Sequence, residues 1–543
     1  MQPVPRRTVL ASAAALGVTA LASCRSDPQE ETQKKIEEPD PNLNLTGMPI
    51  VKEKITLEML TVRSSSTAED WNDVRSMQEM ENLSNIHVEW GLIPSEQGKE
   101  RRNLALASGD YPGVLNRTGL SAVDLAKYGE QGTFMALNPL IEEYMPNLSA
   151  ILEQNPDIRS GVTFPDGNIY SLPQIYDPDF ESLIMQEKLW VRADWLSDFG
   201  MEAPETLEEF EAYLEEVKGR NPVSGSTAAI PLTDNSECNL IYEMLWGTFG
   251  VANKGRRAGS IDTDDNGAVR HWGASEGHRE AMEFLSRLYD KGLIQADIFG
   301  QDSARFSSLG KDGVYGSVPG KSMVANFGKS VGENYVALPP LKKTSSDEVP
   351  SWHSVASPLS AIGGFVITDK SEHPIETARW MDHFYGDEGA RLFFLGVEGE
   401  SYEKTDDGGY DFTKEITDNP DGLTIDEALK PYVIYLGGGY PGIVLEDYFK
   451  GMENTPQARE GSAVVAPYRL EEVWPAFTFT SDEADEMVSL TTDIDKLTSE
   501  SRAKFITGEL SVDNWSEQLA QYDRIGLNRY VEIQQAAYDR YRG

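Results

Sequence analysis

Short apolar runs of strand character alternate along this chain with capped amphipathic stretches, and that alternation limits its fold more than any other feature. VKEKITLEML is apolar at Ile55, Leu57, Met59 and Leu60, and NIHVEWGLI forms a second such run over residues 85–93. Further strand signals stand in AAIPL, NYVALPPL and IGGFVIT. Between them, APETLEEFEAYLEEVKGR sets Thr206 three residues before Glu209, the spacing of a capping box, with Leu207, Phe210, Leu214 and Val217 on one face. A second helix follows Pro374, with Ile375, Ala378, Met381 and Phe384 in one stripe, and Asp387 is placed to cap a third through Leu392 and Phe393. Strands interleaved with helices predict α/β layers. A chain of 543 residues exceeds what one core holds, so two or more domains are expected.

The N-terminus is read apart from the fold. Arg6 and Arg7 precede Val9–Leu21, an apolar run short of the roughly 20 residues that span a bilayer, which is the layout of an export signal. Ala22 and Ser23 lead directly into Cys24, and LASC resembles a bacterial lipobox. The expectation is a signal peptide over residues 1–23 and a lipidated Cys24 that holds the mature chain on the extracytoplasmic face of the cell membrane. The Arg6-Arg7 pair leaves export by Sec or by Tat open. Residues 24–49 are rich in charge and proline and read as a flexible tether.

Charge narrows the partners. The formal charge is −41, and loss of Arg6 and Arg7 with the leader takes it to −43. Binding to nucleic acid needs Lys and Arg against phosphates, so that class is excluded. The same charge repels an anionic membrane surface and leaves the lipid to do the holding. Cys238 is the only cysteine besides Cys24, so no disulfide framework supports the fold if Cys24 carries lipid.

Several stretches imitate chemical motifs without completing them. LGGGYPG places Gly437, Gly439 and Gly442 at dinucleotide-fingerprint spacing after YVIYL, but Pro441 interrupts it and no βαβ unit follows. YGSVPGKS has three residues between Gly316 and Gly320 where a Walker loop has four. The six histidines show no zinc-ligand spacing. DTDDNG opens like a calcium loop, yet its twelfth position is Gly273, so a polar hairpin turn is expected. Glu398 and Glu400 are a carboxylate pair that 89 acidic residues supply by chance. No cofactor and no metal site is expected.

Three longer stretches carry a resemblance. GNIYSLPQ with LWVRADWLSDFGMEAPETLEEFEAYLEEVK resembles the segment by which extracellular solute-binding proteins (family 1) of bacterial ABC importers enter their second lobe. FFLGVEGESYEKTDDGGYDFT and the C-terminal KFITGELSVDNWSEQLAQYDRIGLNRYVEIQQAAYDRY are similar to the LipO-type lipoproteins of that family. The resemblance implies a periplasmic-binding-protein-like fold of two α/β lobes, with a hinge near Leu172-Pro173 and a ligand cleft between the lobes. Lobe one would hold residues 50–172 and 358–455, lobe two residues 173–357 and 456–543. It implies a monomeric receptor, not an enzyme, that closes on a carbohydrate, an oligosaccharide, and hands it to membrane permease subunits. A secreted carbohydrate-active enzyme and a binder of peptide or another solute stay open as alternatives. Relatives often carry an acidic, calcium-loop-like stretch after the capped helix. Here GRNPVSGSTAAIPL has no Asp or Glu, so calcium is not expected at that loop.

A sugar cleft mixes aromatic faces with amides, carboxylates and guanidinium groups. Under that rule and the family's loop positions the candidates are Arg63 and Trp71 after the first strand, Asn116, Arg117 and Thr118 in YPGVLNRTG, and Gln174 and Tyr176 past the crossover. Asn235 and Glu237 in IPLTDNSE, Ser317 in VYGSVPGK, and Trp474 and Phe477 before the helix near Thr480 complete the set. Trp190, Trp195, Trp380 and Trp515 are assigned to packing.

Overall fold

The computed structural model describes residues 39–223, 228–434 and 441–543; the expected signal peptide, Cys24 and the first part of the expected tether lie outside the described residues. In chain order the strands are β1 (Ile55–Arg63), β2 (Ile86–Pro94), β3 (Val114–Asn116), β4 (Leu172–Tyr176), β5 (Lys188–Arg192), β6 (Ile230–Leu232) and β7 (Ile261–Thr263). They continue with β8 (Val269–His271), β9 (Tyr315–Gly320), β10 (Tyr335–Ala337), β11 (Leu359–Ile367), β12 (Tyr402–Lys404), β13 (Tyr410–Phe412) and β14 (Gly442–Val444). Of the two larger sheets, one has the order β14-β4-β11-β3-β1-β2 and the other β10-β5-β9-β6, while β7 pairs with β8 and β12 with β13.

Each larger sheet has its own core. Leu57, Met59, Val88, Leu115 and Phe365 belong to the first, and Val191, Phe210, Leu214, Leu232 and Leu285 to the second. The helix Leu207–Arg220 is capped by the Thr206–Glu209 box and buries its apolar face in the second core, as its spacing predicts. DTDDNG forms the β7–β8 turn, where the Asp264 carboxylate accepts the N–H groups of Asn266 and Ala268 at 2.9 and 3.0 Å.

The chain passes between the sheets after β4, before β11 and after β14. The first passage begins later than expected. Leu172 and Pro173 are part of β4, with Gln174 and Ile175 in register with Gly442 and Ile443 of β14, so the crossing itself runs from Asp177 to Glu187. Irregular pairing between β4 and β11 accommodates the proline, which removes only its own donor.

Other expectations are corrected as well. The described end of the tether is packed: Leu43 is buried and bridges to Val51, and the Arg379 guanidinium donates to the carbonyls of Asn44 and Gly47. Gly386, not Asp387, caps the helix Asp387–Leu395. Tyr432–Ile434 is not strand, and the rest of YVIYL with Gly437 and Gly439 lies outside the described residues. The helix Ser481–Thr507 does not sit in lobe two alone. At about 1.5 Å per residue it is long enough to put Met487 and Ile494 in the first core and Phe505 and Ile506 in the second. Among the described residues no helix is long and apolar enough to cross a membrane.

Candidate functional site

The strand registers show which end of each large sheet lies beside the chain's passages between the lobes. In the first sheet β1 and β3 are parallel and β11 runs against them, so Arg63, Arg117 and the start of β11 share the edge from which β4 leaves at Tyr176. In the second sheet β9 pairs antiparallel with β5, Gly320 opposite Lys188, and parallel with β6. The ends of β6 and β9 therefore lie beside the point where β5 enters from the first lobe.

On the first edge Arg117 follows β3 with a φ of 56°, a left-handed turn that lifts its side chain over the Trp71 ring at 5.6 Å. Its N–H donates to the Gly364 carbonyl at 2.8 Å and its guanidinium to that of Ile434 at 3.3 Å. Arg63 and Tyr176 are half-buried, and Tyr176 touches both hydrophobic cores. After β6 of the second sheet, the buried Asp234 carboxylate accepts the N–H groups of Ser236, Cys238 and Ile241. That turn leaves Asn235 and Glu237 exposed.

Polar contacts run beside the passages, and one of them, Arg257 to Ser360, reaches the first sheet. Arg256 holds Glu243 at 2.7 Å, Ser354 donates to the same carboxylate, and Arg257 donates to the Ser360 hydroxyl at 3.0 Å. Lys321 at the end of β9 pairs with Glu453 of the third crossing at 2.5 Å. Where β5 begins, the fully buried Lys188 ammonium donates to the carbonyls of Gln186 and Ala458 at 3.0 and 3.2 Å. Burial pulls its pKa down to about 8.

Several expected contacts are instead core. Ser317 is fully buried and its hydroxyl is spent on the Trp190 carbonyl at 2.9 Å, because β9 continues to Gly320 and leaves Ser317 inside the sheet. Trp474 is 0% exposed, 4.4 Å from the Tyr538 ring and 5.2 Å from Phe477. Phe477 packs in turn on Tyr541, so both rings seal the C-terminal helix against the first core. Trp71 is also 0% exposed, edge-on to Trp90. Asn116, Thr118 and Gln174 are buried in or next to their strands. Of the expected residues, Arg63, Arg117, Tyr176, Asn235 and Glu237 keep some exposure at strand ends or the turns that follow them, and Glu187 and Lys321 line a cavity with Asn235.

A cavity of about 240 Å³ opens at the second edge, bounded by Glu187, Asn235, Phe306, Lys321 and Met452 among others. A larger one, about 940 Å³, draws only on residues from Gly399 to Tyr432 around the β12–β13 hairpin.

The profile of the bacterial extracellular solute-binding proteins matches residues 75–397. The chain is 26% identical over 542 residues, 96% of each chain, to the fructooligosaccharide ABC transporter substrate-binding protein FusA of Streptococcus pneumoniae. It is 21% identical over 479 residues to Lipoprotein LipO of Bacillus subtilis, covering 84% of this chain and 87% of that one. The solved structure of S. pneumoniae FusA in complex with kestose superposes with a TM-score of 0.73 at 25% identity, over 90% of this chain and 99% of that one.

Proposed function

The chain belongs to the bacterial extracellular solute-binding proteins, and from that premise we propose that it captures an oligosaccharide between its lobes and delivers it to the permease of an ABC importer. Cys24 carries the lipid that keeps it beside that permease. The lobes close by rotation about the interlobe passages, and contacts made from both sides favour the closed state. The protein works as a monomer and performs no catalysis; the relatives it matches are named as binding proteins and lipoproteins.

What supports this reading is that polar strand ends of both large sheets lie beside the interlobe passages, in a chain similar over 96% of its length to a fructooligosaccharide receptor. Arg63, Arg117, Tyr176, Asn235 and Glu237 are the proposed contacts, with Tyr176 offering a ring and the others hydrogen bonds. Calorimetry of the purified protein with kestose, maltotriose, lacto-N-tetraose and trigalacturonate, with product analysis alongside, tests it. Saturable binding without turnover is expected. Hydrolysis at catalytic rates, or no binding while a peptide or other solute binds, overturns it. Arg117→Ala should weaken the best ligand by roughly tenfold, about 1.4 kcal/mol, at unchanged thermal midpoint.

A further inference from the structure

We infer that Glu187 and the cavity beside it form a subsite that holds one neutral sugar ring and turns anionic sugars away. The inference rests on the carbohydrate reading above and adds to it the chemical class of the sugar. Glu187 closes the first crossing, one residue before β5, and is only 6% exposed. Among the described residues it has neither a hydrogen-bond nor an ion-pair partner, although it borders an open cavity.

The cations near it are taken. Lys321 is held by Glu453 at 2.5 Å and Arg256 by Glu243 at 2.7 Å. Lys188, the next residue along, does not line the cavity and is bonded to backbone carbonyls. A carboxylate removed from water without donors is unfavourable, and burial accordingly pushes the Glu187 carboxyl up. What such a group lacks is O–H or N–H donors, and a pair of sugar hydroxyls supplies them. The other polar walls, Asn235, Ser303, Ser307 and Asn326, are neutral, and Phe306 offers an apolar face for ring C–H groups. A uronate or sugar phosphate placed here would find, among the described residues that line the cavity, no cation without a carboxylate partner, and would face Glu187 at low dielectric. At about 240 Å³ the cavity is below the roughly 300–1,000 Å³ of pockets for whole drug-sized ligands, so it suits a single ring of a longer chain.

The test is calorimetry of wild type, Glu187→Gln and Asn235→Ala with the same four oligosaccharides, together with thermal unfolding of each ligand-free protein. Wild type is expected to bind at least one neutral probe and to reject trigalacturonate. Glu187→Gln should weaken the neutral probe at least tenfold, narrow the gap to trigalacturonate, and unfold at the same or a higher temperature than wild type. Asn235→Ala, at an exposed position where folding is not at stake, should weaken the neutral probe several-fold. Neutral binding unchanged within twofold in both variants, or a wild-type preference for trigalacturonate, overturns the inference while the receptor reading stands. Absence of carbohydrate binding by wild type removes the receptor reading, and this inference with it.

Discussion

Trp474 and Arg117 share the same expected role in the sequence, and the fold separates them. Arg117 follows the end of β3 and keeps some exposure, whereas Trp474 lies against Tyr538 and Phe477 with no exposed surface. Trp474→Ala should therefore cost about 3–5 kcal/mol of stability, the range for emptying a buried aromatic site. Urea unfolding checks this, and calorimetry on the folded fraction should show unchanged affinity; a large affinity loss at unchanged stability would return Trp474 to the cleft. The difference was not legible in sequence because Pro475 and the polar neighbours of Trp474 suggest a loop, while the covering rings come from a helix more than sixty residues later. Glu187 did leave a trace. In SLIMQEKLWV the Glu187-Lys188 pair interrupts an apolar run, and ionisable residues inside such a run are candidates for function.

Elements were more legible than side chains where their signals are local. The Thr206 box and the Asp264 turn follow from backbone donors that nearby oxygens satisfy, the Pro374 start from a ring that presets φ and has no N–H to leave unpaired, and all three appear as read. Strand ends are not local, and β9 shows why. YGSVPG reads as loop because of its glycines and proline, yet Leu189 pairs opposite Pro319 while β6 has already stopped pairing at Ser317. Pro319 thus sits where one side of the strand needs no donor, and the strand runs on past Ser317. Between elements, the helix Pro456–Val465 approaches β5 through Gly461, where an added Cβ would stand 2.7 Å from the Trp190 ring and 3.1 Å from the Lys188 side chain. Gly461→Ala should cost about 1–3 kcal/mol through overpacking. Gly219→Ala, where a Cβ meets nothing within 4 Å on the helix Leu207–Arg220, is the control and should be neutral or stabilising. Equal urea midpoints for the two variants would show that this contact yields without strain.

At the scale of the whole molecule, the helix Ser481–Thr507 and the helices after it tie the second lobe to the first, and two buried histidines lie in that seam. His271 packs between Trp272 and Tyr522, and His278 meets the Tyr242 hydroxyl at 2.7 Å. Burial takes both imidazoles down to about 3, with Arg502 adding to the effect at His278. The unfolded chain binds these protons near pH 6.5, so between about pH 6.5 and 3 it holds more protons than the folded one, and stability falls as pH falls through that window. The loss is at most about 1.4 kcal/mol per pH unit for each histidine. Asp382, raised to about 6 by burial even though it accepts the N–H groups of Leu148 and Asn147, acts the other way, gaining stability as pH falls from there toward its ordinary range. Relief of repulsion in a chain of formal charge −41 also opposes the loss, so the wild-type profile alone does not isolate the histidines. His271→Phe does, because both ring nitrogens of His271 lack partners among the described residues and the substitution removes the titration without stranding a neighbour there. Urea midpoints at pH 7, 6, 5 and 4 should fall less steeply for His271→Phe than for wild type, and parallel profiles would show that His271 takes up no proton on unfolding in this range.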